Sequence, residues 1–139
     1  MTIINEIPNG WHALNLDGFM NHIGPILQSN KKDSGRIFAL QMRDAHKNRL
    51  GIIHGGAIAS FLDQVMAIEA WEMVDRRPTV TVQMDIRFIG AAKIGDFIEA
   101  RAGVKHATGS MLFVDADVYC GATSIASASA IMKIVRKAG

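Results

Sequence analysis

An α+β fold, one long helix packed on an antiparallel sheet, is predicted by three features of this sequence. Five stretches alternate apolar and polar residues with period two, the mark of half-buried strands. Only one segment combines helical length with an apolar stripe at helical spacing. Glycines near 90, 95, 109 and 121 supply the breaks that turns between strands need.

Taken in order, Leu16–Leu27 reads as a short helix or helical turn, broken at Gly24-Pro25. Gly35–Arg43 is the first strand. The long helix follows, from about Gly55 to Val74, and Arg76-Arg77-Pro78 ends it. Ile58, Phe61, Leu62, Val65 and Met66 form its apolar stripe. At about 100° per residue, Gly56, Ala59, Ser60, Asp63, Ala67 and Ala70 share a neighbouring face of small residues, with Asp63 its only charge. Glu69 and Glu72 fall back on the apolar stripe. That end of the helix is expected to leave the sheet and be solvated, the alternative being a second functional carboxylate. Thr79–Phe88 places Val80, Val82, Met84, Ile86 and Phe88 on one face and Thr79, Thr81, Gln83, Asp85 and Arg87 on the other. Phe97–His106, Met111–Cys120 and Ser124–Arg136 complete a two-layer α+β sandwich. Residues 1–139 are read as one domain with its core at about 20–136.

Composition narrows the function. With 49% hydrophobic and 20% charged residues, the chain suits a globular fold with a real core. A net charge of +2, with the basic residues scattered, gives little reason to expect nucleic acid as a partner. The one cysteine, Cys120, excludes an internal disulfide framework. No apolar run approaches the roughly 18 residues of a membrane helix, and the N-terminus lacks a secretory pattern. A cytoplasmic location and no membrane partner are expected. The five histidines show no metal-ligand spacing, so no metal is expected. Gly-x-Ser-x-Gly and glycine-rich nucleotide loops are absent from the sequence.

The residues that carry chemistry lie in HKNRLGIIHGGAIASFLDQ (His46–Gln64). They are Asn48, Gly51, His54-Gly55-Gly56 and, nine positions after His54, Asp63. Together with TVTVQMDIRFIGAAKIGD (Thr79–Asp96) and this element order, they resemble the hotdog fold. In particular they resemble acyl-CoA thioesterases of the phenylacetate-degradation type, relatives of 4-hydroxybenzoyl-CoA thioesterase. The resemblance covers about residues 20 to 136. The chain departs from that pattern at Gly90-Ala91-Ala92, where a proline is frequent. It departs again at Ser110, where a basic residue often follows the glycine of the third hairpin; that change bears on the usual coenzyme A phosphate contacts.

Thioester hydrolysis needs a polarised carbonyl and an activated water. The start of a helix offers free N–H groups and partial positive charge. Gly55 and Gly56 let a carbonyl approach, and the Gly55 N–H would be the oxyanion donor. A plain tight turn is the alternative. Asp63 lies eight residues beyond Gly55, roughly 12 Å along the axis, so it cannot easily serve a carbonyl held at its own Gly55. Two antiparallel helices meeting across a dimer would bring each Asp63 near the other chain's Gly55. The resemblance likewise implies a twofold homodimer with shared sites, often doubled to a tetramer.

By the same resemblance, the acid at Asp63 is the general base or nucleophile, and Thr81 helps it orient the water. A carboxylate held among small apolar residues is poorly solvated, which strengthens it as a base. Asn48 either holds the thioester or water, or closes the loop before the helix. His54 is expected in a supporting role. Arg87 and Lys93, with Arg101, Lys105, Lys47 and Arg49 nearby in the pattern, are the candidates for coenzyme A phosphates; each is otherwise a surface charge. Met42, Met66, Met73 and Met84 are either acyl-pocket lining or core filler. Coenzyme A enters only as part of the substrate, with no separate cofactor. The reading is an acyl-CoA thioesterase, possible substrates including aryl-CoA; the alternative is a non-catalytic acyl-CoA binding protein on the same fold.

Overall fold

The structure, a computed structural model, describes residues 6–32 and 35–135. The elements run β1 (Trp11–Ala13), α1 (Phe19–Ile23), β2 (Leu27–Ser29), β3 (Phe38–Gln41), a 3-10 turn (Asp44–His46) and α2 (Gly55–Met73). Four long strands follow: β4 (Thr79–Phe88), β5 (Phe97–Ala107), β6 (Met111–Cys120) and β7 (Thr123–Ile134). Among the described residues all the pairings are antiparallel, in the order β1-β2-β3-β5-β6-β7-β4. The sheet packs on α2, as the hotdog arrangement requires. No helix among the described residues is long and apolar enough to cross a membrane.

The apolar stripe of α2 explains the architecture. Ile58, Phe61, Leu62, Val65 and Met66 are buried, each contributing about 1.5–3 kcal/mol of transfer energy against the sheet. Ala70 is buried with them instead of lying on an open small-residue face. Met42 and Met66 are core residues, Met84 packs partly against that core, and Met73 is exposed.

The structure differs from the sequence reading in several places. The segment Leu16–Leu27 is helical only over α1, and Leu27 instead opens β2. β1 and β2 have three residues each, too few to show a period of two. The predicted strand Gly35–Arg43 shortens to β3, because the Arg43 N–H turns aside to His46 Nδ1. The last strand ends at Ile134; Arg136 lies outside the described residues.

A further difference concerns the end of α2. Glu69 is not solvated. Its side chain is 13% exposed and takes a two-pronged bond from Arg36, Nε to Oε1 at 2.9 Å and Nη2 to Oε2 at 2.8 Å. Arg36 precedes β3, so this pair ties the end of α2 to the β2–β3 side of the sheet. Glu72 pairs with Arg76 at 3.3 Å on the exposed side. Glu69→Ala is expected to lower the unfolding free energy by about 1–3 kcal/mol, since it leaves the Arg36 guanidinium unpaired. Urea denaturation beside Glu72→Ala, which should cost under about 1 kcal/mol, checks this.

Candidate active site

The start of α2 is built by two histidines. His46 closes the 3-10 turn, and its carbonyl accepts the His54 N–H at 2.7 Å. His54 is the N-cap of α2, and its Nδ1 accepts the Gly56 N–H at 2.7 Å. A backbone N–H can only donate, so the neutral His54 ring carries its proton on Nε2. His54 therefore shapes the turn, the supporting role expected of it. The cap also explains Gly56: a Cβ there would sit 2.9 Å from His54 Nδ1.

With Gly56 committed, the Gly55 N–H is the donor left over. It has no partner among the described residues. A Cβ on Gly55 would lie 3.3 Å from the Phe88 ring. Phe88, at the end of β4 and 56% exposed, thus forms an apolar wall beside this donor. The sequence reading placed Phe88 on an apolar strand face and nothing in its spacing pointed to Gly55.

Asn48 does close the loop. Its Oδ1 accepts from the N–H groups of Leu50 (2.8 Å) and Ile52 (3.3 Å). Its amide nitrogen takes no partner among the described residues, so an N–H donor remains for a ligand. Lys93 sits beside this loop through an Ile52–Lys93 bridge, at the rim of the same region.

Asp63 and Thr81 meet directly. Thr81 Oγ1 donates to Asp63 Oδ1 at 2.6 Å, the length of a charge-assisted bond. A β-bulge makes this contact. Thr81 opposes Met132 on β7, but Gln83 opposes Ile131, so Val82 is an extra residue in the ladder. Before the bulge Thr81 faces α2; after it Met84, Ile86 and Phe88 do. The simple alternation that grouped Val80 and Val82 with Met84 is therefore broken, and both valines are exposed, at 50% and 56%. Asp63 is only half-buried, so the apolar enclosure expected around it is not supplied by this chain alone.

Arg87 lies elsewhere. It opposes Ser127 and shares a hollow with Asp85, Asp115 and Asp117 on the sheet face turned from α2. Within one chain, then, the structure gathers Gly55, Gly56, His54, Asn48 and Lys93 at the start of α2. Asp63 and Thr81 form a second group further along it, and Arg87 joins neither.

The motif of the thioesterase superfamily matches residues 50–126, more than half of the chain. The chain belongs to the thioesterase superfamily. The matched stretch contains His54, Gly55, Gly56, Asp63, Thr81, Arg87 and Lys93, and begins just after Asn48. The chain is 26% identical over 131 residues to a protein of Pseudomonas aeruginosa named as an esterase, covering 93% of this chain and 98% of that one. It is 28% identical over 105 residues to human acyl-coenzyme A thioesterase 13, covering 76% and 75%. Among solved structures it is similar to zebra fish thioesterase superfamily member 2, with a TM-score of 0.76, 24% identity and coverage of 85% and 87%. That likeness shows the fold.

His46 gives this turn a pH dependence. It is 3% exposed, its Nδ1 accepts the Arg43 N–H at 3.0 Å, and its Nε2–H donates to the Ile23 carbonyl at 2.7 Å. Burial lowers its pKa below the usual 6.5; the Ile23 carbonyl opposes that shift, and the Arg43 charge adds to it. The folded chain thus holds fewer protons on His46 than the unfolded chain between the lowered value and 6.5. Its contribution is present above pH 6.5 and is lost as pH falls below it. Thermal melts from pH 8 to 4.5 should show this fall, with a shallower slope in His46→Gln.

Proposed function

We propose that the protein hydrolyses acyl-CoA thioesters, aryl-CoA among them, with Asp63 as general base and the Gly55 N–H as oxyanion donor of a site shared between two protomers. The observation that carries the reading is the Thr81–Asp63 hydrogen bond. Because Thr81 spends its only proton on Oδ1, its oxygen can only accept from a water. Asp63 keeps Oδ2 for a second acceptance. A water held by both has its two hydrogens directed at Thr81 Oγ1 and Asp63 Oδ2, and its lone pair free to attack.

The carbonyl is held by the partner subunit's Gly55, with the partner subunit's Asn48 offering its amide N–H beside it. Attack forms the C–O bond as the water proton passes to Asp63. The negative charge then grows on the carbonyl oxygen, where the unspent N–H at the start of α2 stabilises it. Collapse breaks the C–S bond. Coenzyme A leaves as the thiolate and takes up the proton that Asp63 received. Only substrate and water are consumed, and no separate cofactor is required.

The unpaired edge of the sheet supports the two-protomer arrangement. β4 has β7 on one side and no strand on the other among the described residues. Val80 and Val82 are exposed on it, an edge that natural sheets cover or pair. A twofold pairing there would also enclose the half-buried Asp63. A tetramer of two such dimers is part of the proposal. So is the holding of coenzyme A phosphates by Lys93 at the rim, with Arg87 taking that part only across an interface between copies. The human relative's name as an acyl-coenzyme A thioesterase supports the substrate class.

Thiol release from a panel of aryl-, short- and medium-chain acyl-CoAs tests this. Asp63→Asn should lower kcat at least a hundredfold, about 2.7 kcal/mol of barrier. Thr81→Val should cost about tenfold, or roughly 1.4 kcal/mol, with little change in KM. A folded wild type that binds acyl-CoA without releasing thiol would replace this reading with a binding role.

A further inference from the structure

Between α1 and the first turns of α2 lies a cavity of about 380 Å3. Phe19 and Ile23 of α1, Ala45 of the 3-10 turn, and Gly56, Ala57 and Ser60 of α2 line it. It reaches Gly56, one residue from the unspent Gly55 N–H. Its volume sits at the low end of ligand pockets, about 300–1,000 Å3, too small for a nucleotide but ample for one ring or a short chain.

Most of the polar groups around it are already occupied. Ser60 Oγ donates to the Gly56 carbonyl at 2.8 Å, and His54 Nδ1 accepts from Gly56. Both ring nitrogens of His46 are bonded, and the Lys47 amine is paired with Asp44 at 3.0 Å. The cavity therefore offers mainly apolar contact, and His54 Nε2 is the ring nitrogen left without a partner among the described residues.

Packing fixes α1 over this space only in part. None of its five residues is fully buried, Met20 and Ile23 lie half-buried against the core, and a helix so short does not hold itself together. Its final carbonyls are clamped as well. Arg43 Nη2 donates to the carbonyls of His22 and Gly24, both at 2.8 Å, and His46 Nε2 donates to Ile23 between them.

We propose that this cavity receives the acyl group of the thioester, and that Arg43 and His46 are positioning residues that set its width by fixing α1. The substrate class is then a compact, uncharged acyl group, such as a single aromatic ring or a short branched chain. The proposal rests on the thioester reading above, and its test is independent of turnover.

Phenacyl-coenzyme A and acetonyl-coenzyme A are thioethers that a thioesterase cannot cleave, and they differ in the bulk placed beside the carbonyl. Calorimetry on the full chain gives the ratio of their Kd values. Wild type should prefer the phenacyl compound. Ala45→Leu, an exposed position that tolerates substitution, should cut that preference at least tenfold; Phe19→Ala, where the ring is 64% exposed, at least threefold. His46→Leu should cut it as well, while His46→Gln, which keeps a donor for Ile23, should retain at least half. A wild type without preference, or a ratio unmoved by Ala45→Leu and Phe19→Ala, overturns the chamber. A ratio unmoved by His46→Leu overturns the clamp. Preferential binding without thiol release from the corresponding thioesters would uphold the chamber and overturn the hydrolase reading instead.

Discussion

The hydrogen bond from the Gly56 N–H to His54 Nδ1 decides what the start of α2 can do. A helix begins with several N–H groups that lack carbonyl partners. Here Ala57 turns back to the His54 carbonyl and Gly56 to the His54 ring, which leaves Gly55 as the donor without a partner among the described residues. The cap needs a ring at position 54 and no Cβ at position 56, so the His-Gly-Gly triplet is one device, not three independent choices. The cap itself hangs on His46, whose carbonyl accepts the His54 N–H and whose ring reaches α1. Backbone direction at the site thus passes from α1 through two imidazoles to α2.

The second constraint is that the two chemical groups lie at different heights on one helix. α2 is rigid because its buried stripe, from Ile58 to Val74, is locked into the sheet. Its rigidity keeps Asp63 roughly 12 Å along the axis from Gly55. Nothing in a single chain can close that gap; the twofold pairing proposed above would do so without moving either element. In that proposal the uncovered edge of β4 and the incomplete enclosure of Asp63 are met by one interface.

Much of this was legible in the sequence, and the reasons are specific. α2 and the four long strands have enough residues for their periodicities to be counted, and β4 and β6 fall where the alternation puts them. Asn48, His54, Gly55 and Asp63 stand out because polar and glycine residues interrupt an apolar run. Less legible was whatever depends on contacts between distant segments. Glu69 looked like a solvated helix end because its partner, Arg36, is thirty-three residues away. Phe88 and His46 gave no signal, since a ring beside a glycine and a histidine buried under a short helix both need the third dimension. Arg87 was assigned to the site by its charge and its place on a strand at the rim; plain alternation put it on the face of Thr81, and the bulge turns it to the opposite one. Thr81 was expected to pair with Asp63, but the alternation that placed it on a separate polar face could not show how it reaches the helix.

That route is the bulge at Val82. The residue adds length to β4 without adding a pairing, so removing it would leave Thr81, Met84, Ile86 and Phe88 facing the way they already face. Removing Asp85 instead would have a different result. If the bulge stayed, Ile86 and Phe88 would turn outward, and if it vanished, Met84 would. A strand of this kind is therefore more sensitive to where a deletion falls than to which side chain is lost, and the bulge at Val82 and Gln83 marks the place where a shorter chain keeps the same two faces.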